Sequence, residues 1–309
     1  MKQLAAIDIG TNTIKLLVAS VEEDGSLQIL SREKALVRLG SETLTTGRLS
    51  EEAIEAGVAA VEQFLRSVRA AGAELVRTVA TCAVREASNS GEFLEAVRRR
   101  TGVTVDVVSG EEEARLINLG VRSEYPARFD PLFLIDIGGG STEFVIGSAP
   151  GRAEHALSTQ MGSVRLTERF VRSDPPTREE LAALALAVDD ALDQAEAHLP
   201  IGDAHTFVSV SGSATTLQAI ALGLPRYDPE AIHRTWLTRT DAERVTDDLA
   251  RMTDAERAAL PVMAPGRGDV IVAGAMVLTN VMRRFGFERT LVSETDILDG
   301  LAFELLDIR

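Results

Sequence analysis

Asp136 ends an apolar run and is followed by Gly138, Gly139 and Gly140, then by Ser141, Thr142 and Glu143. Three consecutive glycines let the backbone adopt φ > 0 and bring its N–H groups against an anion, because no Cβ intervenes. Asp136 offers a carboxylate that can hold a hard divalent cation beside that anion. This is the chemistry of a phosphate site. Residues 4–20 repeat the design: an apolar run into Asp8, then Gly10, Thr11, Asn12 and Thr13, then a second apolar run. Both copies share the core D-I-G-x-x-(S/T), one in each half of the chain, which points to a duplicated unit closing on one ligand. A Rossmann dinucleotide turn would open a helix. Here residues 142–147 alternate and are rich in β-branched and aromatic side chains, so the glycine turn joins two strands.

Glu113 is a second candidate. Ser109 and Glu112 have the spacing of a capping box, which gives Glu112 a structural task, reaching back to the N-cap N–H. Glu113 precedes Leu116, Ile117 and Gly120 by three, four and seven positions. It either shares their inward face or is a solvated glutamate favoured at a helix start by the macrodipole. An inward carboxylate needs a partner or a function. Ser211, Gly212 and Ser213 join a strand to a helix, so they suit an oxyanion or form an ordinary cap. Arg85 is either a bidentate phosphate ligand or the structural partner of a glutamate.

The remaining elements must place these groups. A chain of 309 residues suits two domains. Aromatic residues make up only 4% of it, so Leu, Val, Ile and Ala are expected to fill the core. A net charge of −15 excludes a general nucleic-acid surface. No apolar run approaches the ~20 residues that span a bilayer, and a strand follows directly on Met1 and Lys2. A cytoplasmic protein is expected, its single Cys82 a buried thiol in a strand. The patterns predict strands at 27–38, 75–84, 103–108, 153–158, 207–210 and 291–293. Helices are predicted after Ser50, through Phe93, from 109, from the capping box Thr177/Glu180, after the Ser211 turn and over 297–306. Thr240/Glu243 and Thr253/Glu256 carry further capping boxes. Residues 270–282 are helix or strand, and 124–131 is the expected interdomain crossing.

Six segments taken in order carry a resemblance. They are Asp8–Asn12, Thr81–Ala87, Ser109–Leu116, Asp136–Glu143, Ser211–Leu217 and Pro265–Ala275. Together they resemble the exopolyphosphatase / guanosine pentaphosphate phosphohydrolase (Ppx/GppA) family, in its short two-domain form. The resemblance implies an α/β fold of two actin-like lobes (acetate kinase/sugar kinase/heat-shock/actin superfamily) around a central cleft. The lobes would be residues 1–124 and 125–295, with a C-terminal helix at 296–309 packing back on the first. Glu113 would be the general base, and Arg85 would act at the reacting phosphoryl. Asp8, Asp136 and Glu143 would hold Mg²⁺ or Mn²⁺. Thr11, Asn12, Gly138, Gly139, Gly140, Ser141, Thr142, Ser211, Gly212 and Ser213 would cradle phosphates. Lys15, Arg32, Lys34, Arg38, Arg165 and Arg267 are candidates for a basic substrate path. The implied activity is release of orthophosphate from inorganic polyphosphate, with hydrolysis of pppGpp to ppGpp as the same-site alternative. An actin-fold small-molecule kinase and a non-catalytic nucleotide-binding regulator are the rival classes. No membrane partner is implied, and a homodimer is left open. Residues 293–300 depart from the family's basic pattern, which removes any expected polyanion contact there.

Overall fold

The computed structural model describes residues 2–23, 26–125, 129–147 and 155–307. They divide into two compact units, one of residues 1–121 and 297–309 and one of residues 122–296.

In the first unit β1 (Lys2–Ile9), β2 (Thr13–Val21) and β3 (Leu27–Leu36) form an antiparallel meander. Then follow α1 (Thr43–Thr46), α2 (Glu51–Ala70), β4 (Leu75–Ala80), α3 (Cys82–Glu86), α4 (Ser90–Thr101), β5 (Asp106–Val107) and α5 (Gly110–Arg122). The sheet order is β3-β2-β1-β4-β5, with β4 parallel to β1. The second unit opens with β6 (Leu132–Ile137), β7 (Thr142–Gly147) and β8 (His155–Thr159), again antiparallel. After α6 (Ser163–Phe170) and α7 (Arg178–His198), β9 (Thr206–Val210) lies parallel to β6 and runs into α8 (Ser211–Ala221). The remainder is α9 (Pro229–Ile232), β10 (Thr235–Thr238), α10 (Arg239–Arg251), α11 (Asp254–Ala258), α12 (Ile271–Arg284) and β11 (Arg289–Val292). The chain ends with α13 (Ile297–Asp307), which belongs to the first unit. The second sheet runs β10-β11-β9-β6-β7-β8. Read from the meander outward, β3-β2-β1-β4-β5 and β8-β7-β6-β9-β11 have the same plan, and β10 is an addition. The duplication expected from the two D-I-G cores is a duplication of topology.

Every residue of β6 and β7 is buried, so the alternation along 142–147 does not mark a solvated face, as expected of a strand covered on both sides. Aliphatic side chains fill most of both cores, and the scarce aromatics concentrate in one stack of the second unit. There Phe133 lies 5.3 Å from Phe207 and 5.6 Å from Phe287, centroid to centroid.

Several boundaries differ from expectation. The strand predicted over 75–84 stops at Ala80, because its parallel partner β1 ends opposite at Ile9. Cys82 therefore begins α3 rather than sitting in a strand, although it is buried. The strand predicted over 103–108 is reduced to the two residues that pair with Val79 and Ala80. The α10 cap is Thr238, which accepts from the Asp241 N–H at 3.1 Å, and not Thr240 with Glu243. Thr177/Glu180 and Thr253/Glu256 are complete capping boxes. Residues 271–282 are helical, within α12, and Val270 is its N-cap. Residues 153 and 154 of the strand predicted over 153–158 lie outside the described residues.

Candidate active site

The two hairpin turns close identically. Gly138 N–H donates to the Ser141 carbonyl at 3.0 Å, and Gly10 N–H donates to the Thr13 carbonyl at 3.2 Å. What differs is the partner facing each aspartate. Asp8 is directly opposite Lys15 on β2, with Nζ 3.6 Å from its carboxylate. Asp136 is directly opposite Glu143 on β7. Directly opposite residues share one face, about 5 Å apart at Cβ, and like charges there repel. Asp136 is 9% exposed and Glu143 1%, so solvent does little to screen them. The Ser158 hydroxyl donates to Glu143 at 2.7 Å.

The glycine turn is held from behind. Ser163 N–H donates to the Gly138 carbonyl at 2.9 Å, and Val164 and Arg165 N–H donate to that of Gly139 at 2.9 and 3.1 Å. Arg165 Nε donates to the Gly140 carbonyl at 2.7 Å. In a trans peptide the C=O of one residue and the N–H of the next point in opposite directions. With these three carbonyls spent on α6, the N–H groups of Gly139, Gly140 and Ser141 face away from α6, where an anion can take them. Gly162 makes the approach possible. Its backbone is extended at φ −95°, open to any residue, yet a Cβ there would fall well under 3.0 Å from backbone atoms of Gly139 and Gly140. Thr142 is fully buried and its hydroxyl donates to the Met161 carbonyl. That bond braces the turn from within.

The Ser211 turn is joined to the same hairpin. Ser211 has φ +78° and donates its hydroxyl to the Ile137 carbonyl at 2.7 Å. A Cβ on Gly212 would overlap the Arg267 guanidinium, and one on Gly274 would overlap the Ser213 hydroxyl. The segments 211–217 and 265–275 thus interlock, each glycine making room for a side chain of the other. Arg267 retains some exposure as a residue, yet burial lowers its pKa, opposed by the charges of Tyr227 and Glu294. Tyr227 donates to Glu294 at 2.5 Å and meets the Thr215 hydroxyl at 2.6 Å. Burial, then the Glu294 carboxylate, push the Tyr227 hydroxyl well above its ordinary pKa. Arg267 is packed against this turn at Gly212.

In the first unit, Val37 and Arg38 N–H groups donate to the Asn12 carbonyl, and Gly40 N–H donates to that of Thr11 at 2.7 Å. A Cβ on Gly40 would fall under 3.0 Å from the Thr11 side chain. The first turn is therefore braced through its carbonyls as the second is. Glu113 is 9% exposed on α5, which settles the open choice in favour of the inward face. Arg85 Nη1 donates to Glu113 at 2.9 Å and to the Val108 carbonyl at 2.9 Å. Of the two roles open to Arg85, the structure places it as the partner of a glutamate. Ser109 accepts from the Glu112 N–H at 3.1 Å, but Glu112 does not complete a capping box. Its carboxylate takes both Arg115 nitrogens, at 2.7 and 2.8 Å, because a charged fork outweighs one neutral N–H. Lys15 and Lys34 are directly opposite on β2 and β3, and Arg32 ion-pairs with Asp299 on α13.

Asp136 and Glu143 fit a hard divalent cation: two enclosed carboxylates side by side, next to a turn whose N–H groups can take an anion. No group of three or more His, Cys, Asp or Glu converges on one point among the described residues. A pair of carboxylates is a donor set that a hard divalent cation can complete with waters and other oxygens. Asp8, already facing Lys15, fits less well. Sequence patterns missed Gly162, Gly40 and Gly274, whose need for space arises only from remote segments.

The family model "Ppx/GppA phosphatase family" matches residues 17–308. The chain is 38% identical to "Exopolyphosphatase 2" of Mycobacterium tuberculosis, over 99% of both chains. A crystal structure of an exopolyphosphatase from Cytophaga hutchinsonii is 27% identical, with a TM-score of 0.92, covering 99% of this chain and 98% of that one. A crystal structure of the Aquifex aeolicus Ppx/GppA family member is 30% identical, with a TM-score of 0.81, again covering 99% and 98%.

Proposed function

Because the chain belongs to the Ppx/GppA phosphatase family, a family of actin-like two-lobe phosphoanhydride hydrolases, we propose that it is an exopolyphosphatase. In this reading water attacks the terminal phosphoryl of inorganic polyphosphate, orthophosphate departs, and the chain shortens by one unit. The observation that carries the proposal is the like-charge pair Asp136–Glu143 beside a turn whose three glycine carbonyls are spent on α6. A phosphoryl group and a divalent cation satisfy both halves of that arrangement together. Relatives bearing the name exopolyphosphatase support the choice of substrate.

Phosphoryl transfer asks little covalent chemistry of a protein; positioning and charge stabilisation do most of the work. Glu113, held by Arg85, orients the attacking water and accepts its proton. The N–H groups of Gly139, Gly140 and Ser141 hold the phosphoryl oxygens, and the Ser211 turn keeps the hairpin in register. Asp136 and Glu143 would hold Mg²⁺, whose charge, when it is bound, would offset the negative charge that develops in phosphoryl transfer. No helix among the described residues is long and apolar enough to cross a membrane.

The test is phosphate release measured side by side on long polyphosphate, tripolyphosphate, pppGpp and ATP. Release from polyphosphate should exceed the other three, vanish with a chelator and return with Mg²⁺. Release from pppGpp alone would move the chain to the pentaphosphate hydrolases. Release from none of the four would reject hydrolysis.

A further inference from the structure

A run of three glycines that binds an anion carries a physical liability. Glycine populates φ > 0 and φ < 0 about equally, so each peptide in the turn can flip and present its carbonyl where its N–H should be. A flipped peptide removes one donor and puts a partial negative charge against the phosphate. The Gly138 and Gly139 carbonyls are secured by backbone N–H groups at the start of α6, and truncating the Arg165 side chain leaves those donors in place. The Gly140 carbonyl is secured differently. Its donor among the described residues is the Arg165 side chain, Nε to oxygen at 2.7 Å.

We propose that Arg165 is a positioning residue: its Nε locks the Gly140–Ser141 peptide with the Ser141 N–H presented to the phosphate. It acts through Ser141, from the carbonyl side of that peptide, and not as a ligand of the substrate. Its own placement is well determined, since its backbone N–H donates to the Gly139 carbonyl at 3.1 Å. A helical side chain leans toward the N-terminus of its helix, which here brings it back over the turn. The proposal rests on residues 138–141 being the phosphate turn.

Two substitutions separate this role from a charge contact. Glutamine places an N–H donor as many bonds from Cα as the arginine Nε, so Arg165→Gln keeps the lock and removes the charge. Arg165→Lys keeps the charge and moves the donor. Orthophosphate binding by calorimetry and kcat and KM on polyphosphate are measured for the parent, Arg165→Ala, Arg165→Gln and Arg165→Lys, with thermal melting as the folding control. Arg165→Ala should weaken orthophosphate binding and lower kcat, each about tenfold, the worth of one hydrogen bond to a charged group. Arg165→Gln should stay within about twofold of the parent. Rescue by lysine with failure of glutamine would overturn the proposal in favour of a direct charge contact. Equal activity in all four proteins would overturn it outright. Parental orthophosphate binding without polyphosphate hydrolysis would defeat the functional reading and leave the calorimetry to decide the lock. No orthophosphate binding by the parent would defeat the lock itself.

Discussion

Glu113→Gln should lower turnover by about 10²–10⁴-fold, the usual contribution of a general base, while leaving the fold unchanged. Glutamine has the same shape, and its amide oxygen can still accept the 2.9 Å bond from Arg85. The bond from Arg85 to the Val108 carbonyl is untouched as well. What glutamine cannot do is take a proton from water. Glu112 is the internal control, because it is adjacent in sequence and is also a glutamate. Its carboxylate is committed to Arg115 on the helix surface, with a third of the side chain exposed. Glu112→Gln should cost a few tenths of a kcal/mol, typical of an i,i+3 pair, and preserve turnover. The check is kcat from phosphate release together with circular dichroism for all three proteins. Comparable losses in both variants, or loss in Glu112→Gln alone, would remove Glu113 from its role.

Local chemistry explains what could be read from the sequence. The D-I-G-x-x-(S/T) turns were visible because a glycine, a β-branched strand and a closing Ser or Thr are all near neighbours. The capping boxes at Thr177 and Thr253 were visible for the same reason. Thr240/Glu243 had equally good local chemistry and failed on a distant fact. β10 remains paired with β11 through Thr238 opposite Arg289, so the helix begins directly after Thr238 and takes that residue as its cap. The end of β4 was likewise set by where β1 runs out. Glu112 illustrates a competition within one helix turn, in which Arg115 outbid the N-cap N–H. The contrast between Asp8 and Asp136 could not be seen without strand register, which places Lys15 opposite one and Glu143 opposite the other.

The same logic makes Gly162 the position whose loss reaches furthest. Nothing local marks it: its φ and ψ are those of an ordinary extended residue. The methyl group of Gly162→Ala would collide with backbone atoms of Gly139 and Gly140, and a backbone cannot rotate away as a flexible side chain can. Either α6 backs off, breaking the bonds from Ser163, Val164 and Arg165, or the turn shifts with its N–H groups. Overpacking of this kind costs about 1–3 kcal/mol of stability, which a well-folded domain survives. The functional cost is larger, because a misplacement of about 1 Å at a reacting group lowers rates about 10²-fold. We therefore expect Gly162→Ala to remain folded, lose about 10²-fold in kcat/KM on polyphosphate, and bind orthophosphate weakly. Gly202→Ala, in the same unit with nothing within 4 Å of the added methyl, should match the parent in every assay. Melting curves, calorimetry with orthophosphate and steady-state kinetics on the three proteins decide the matter. A folded Gly162→Ala protein with parental kinetics would mean that the turn tolerates displacement, and that the contacts from α6 do not set the geometry of the phosphate site.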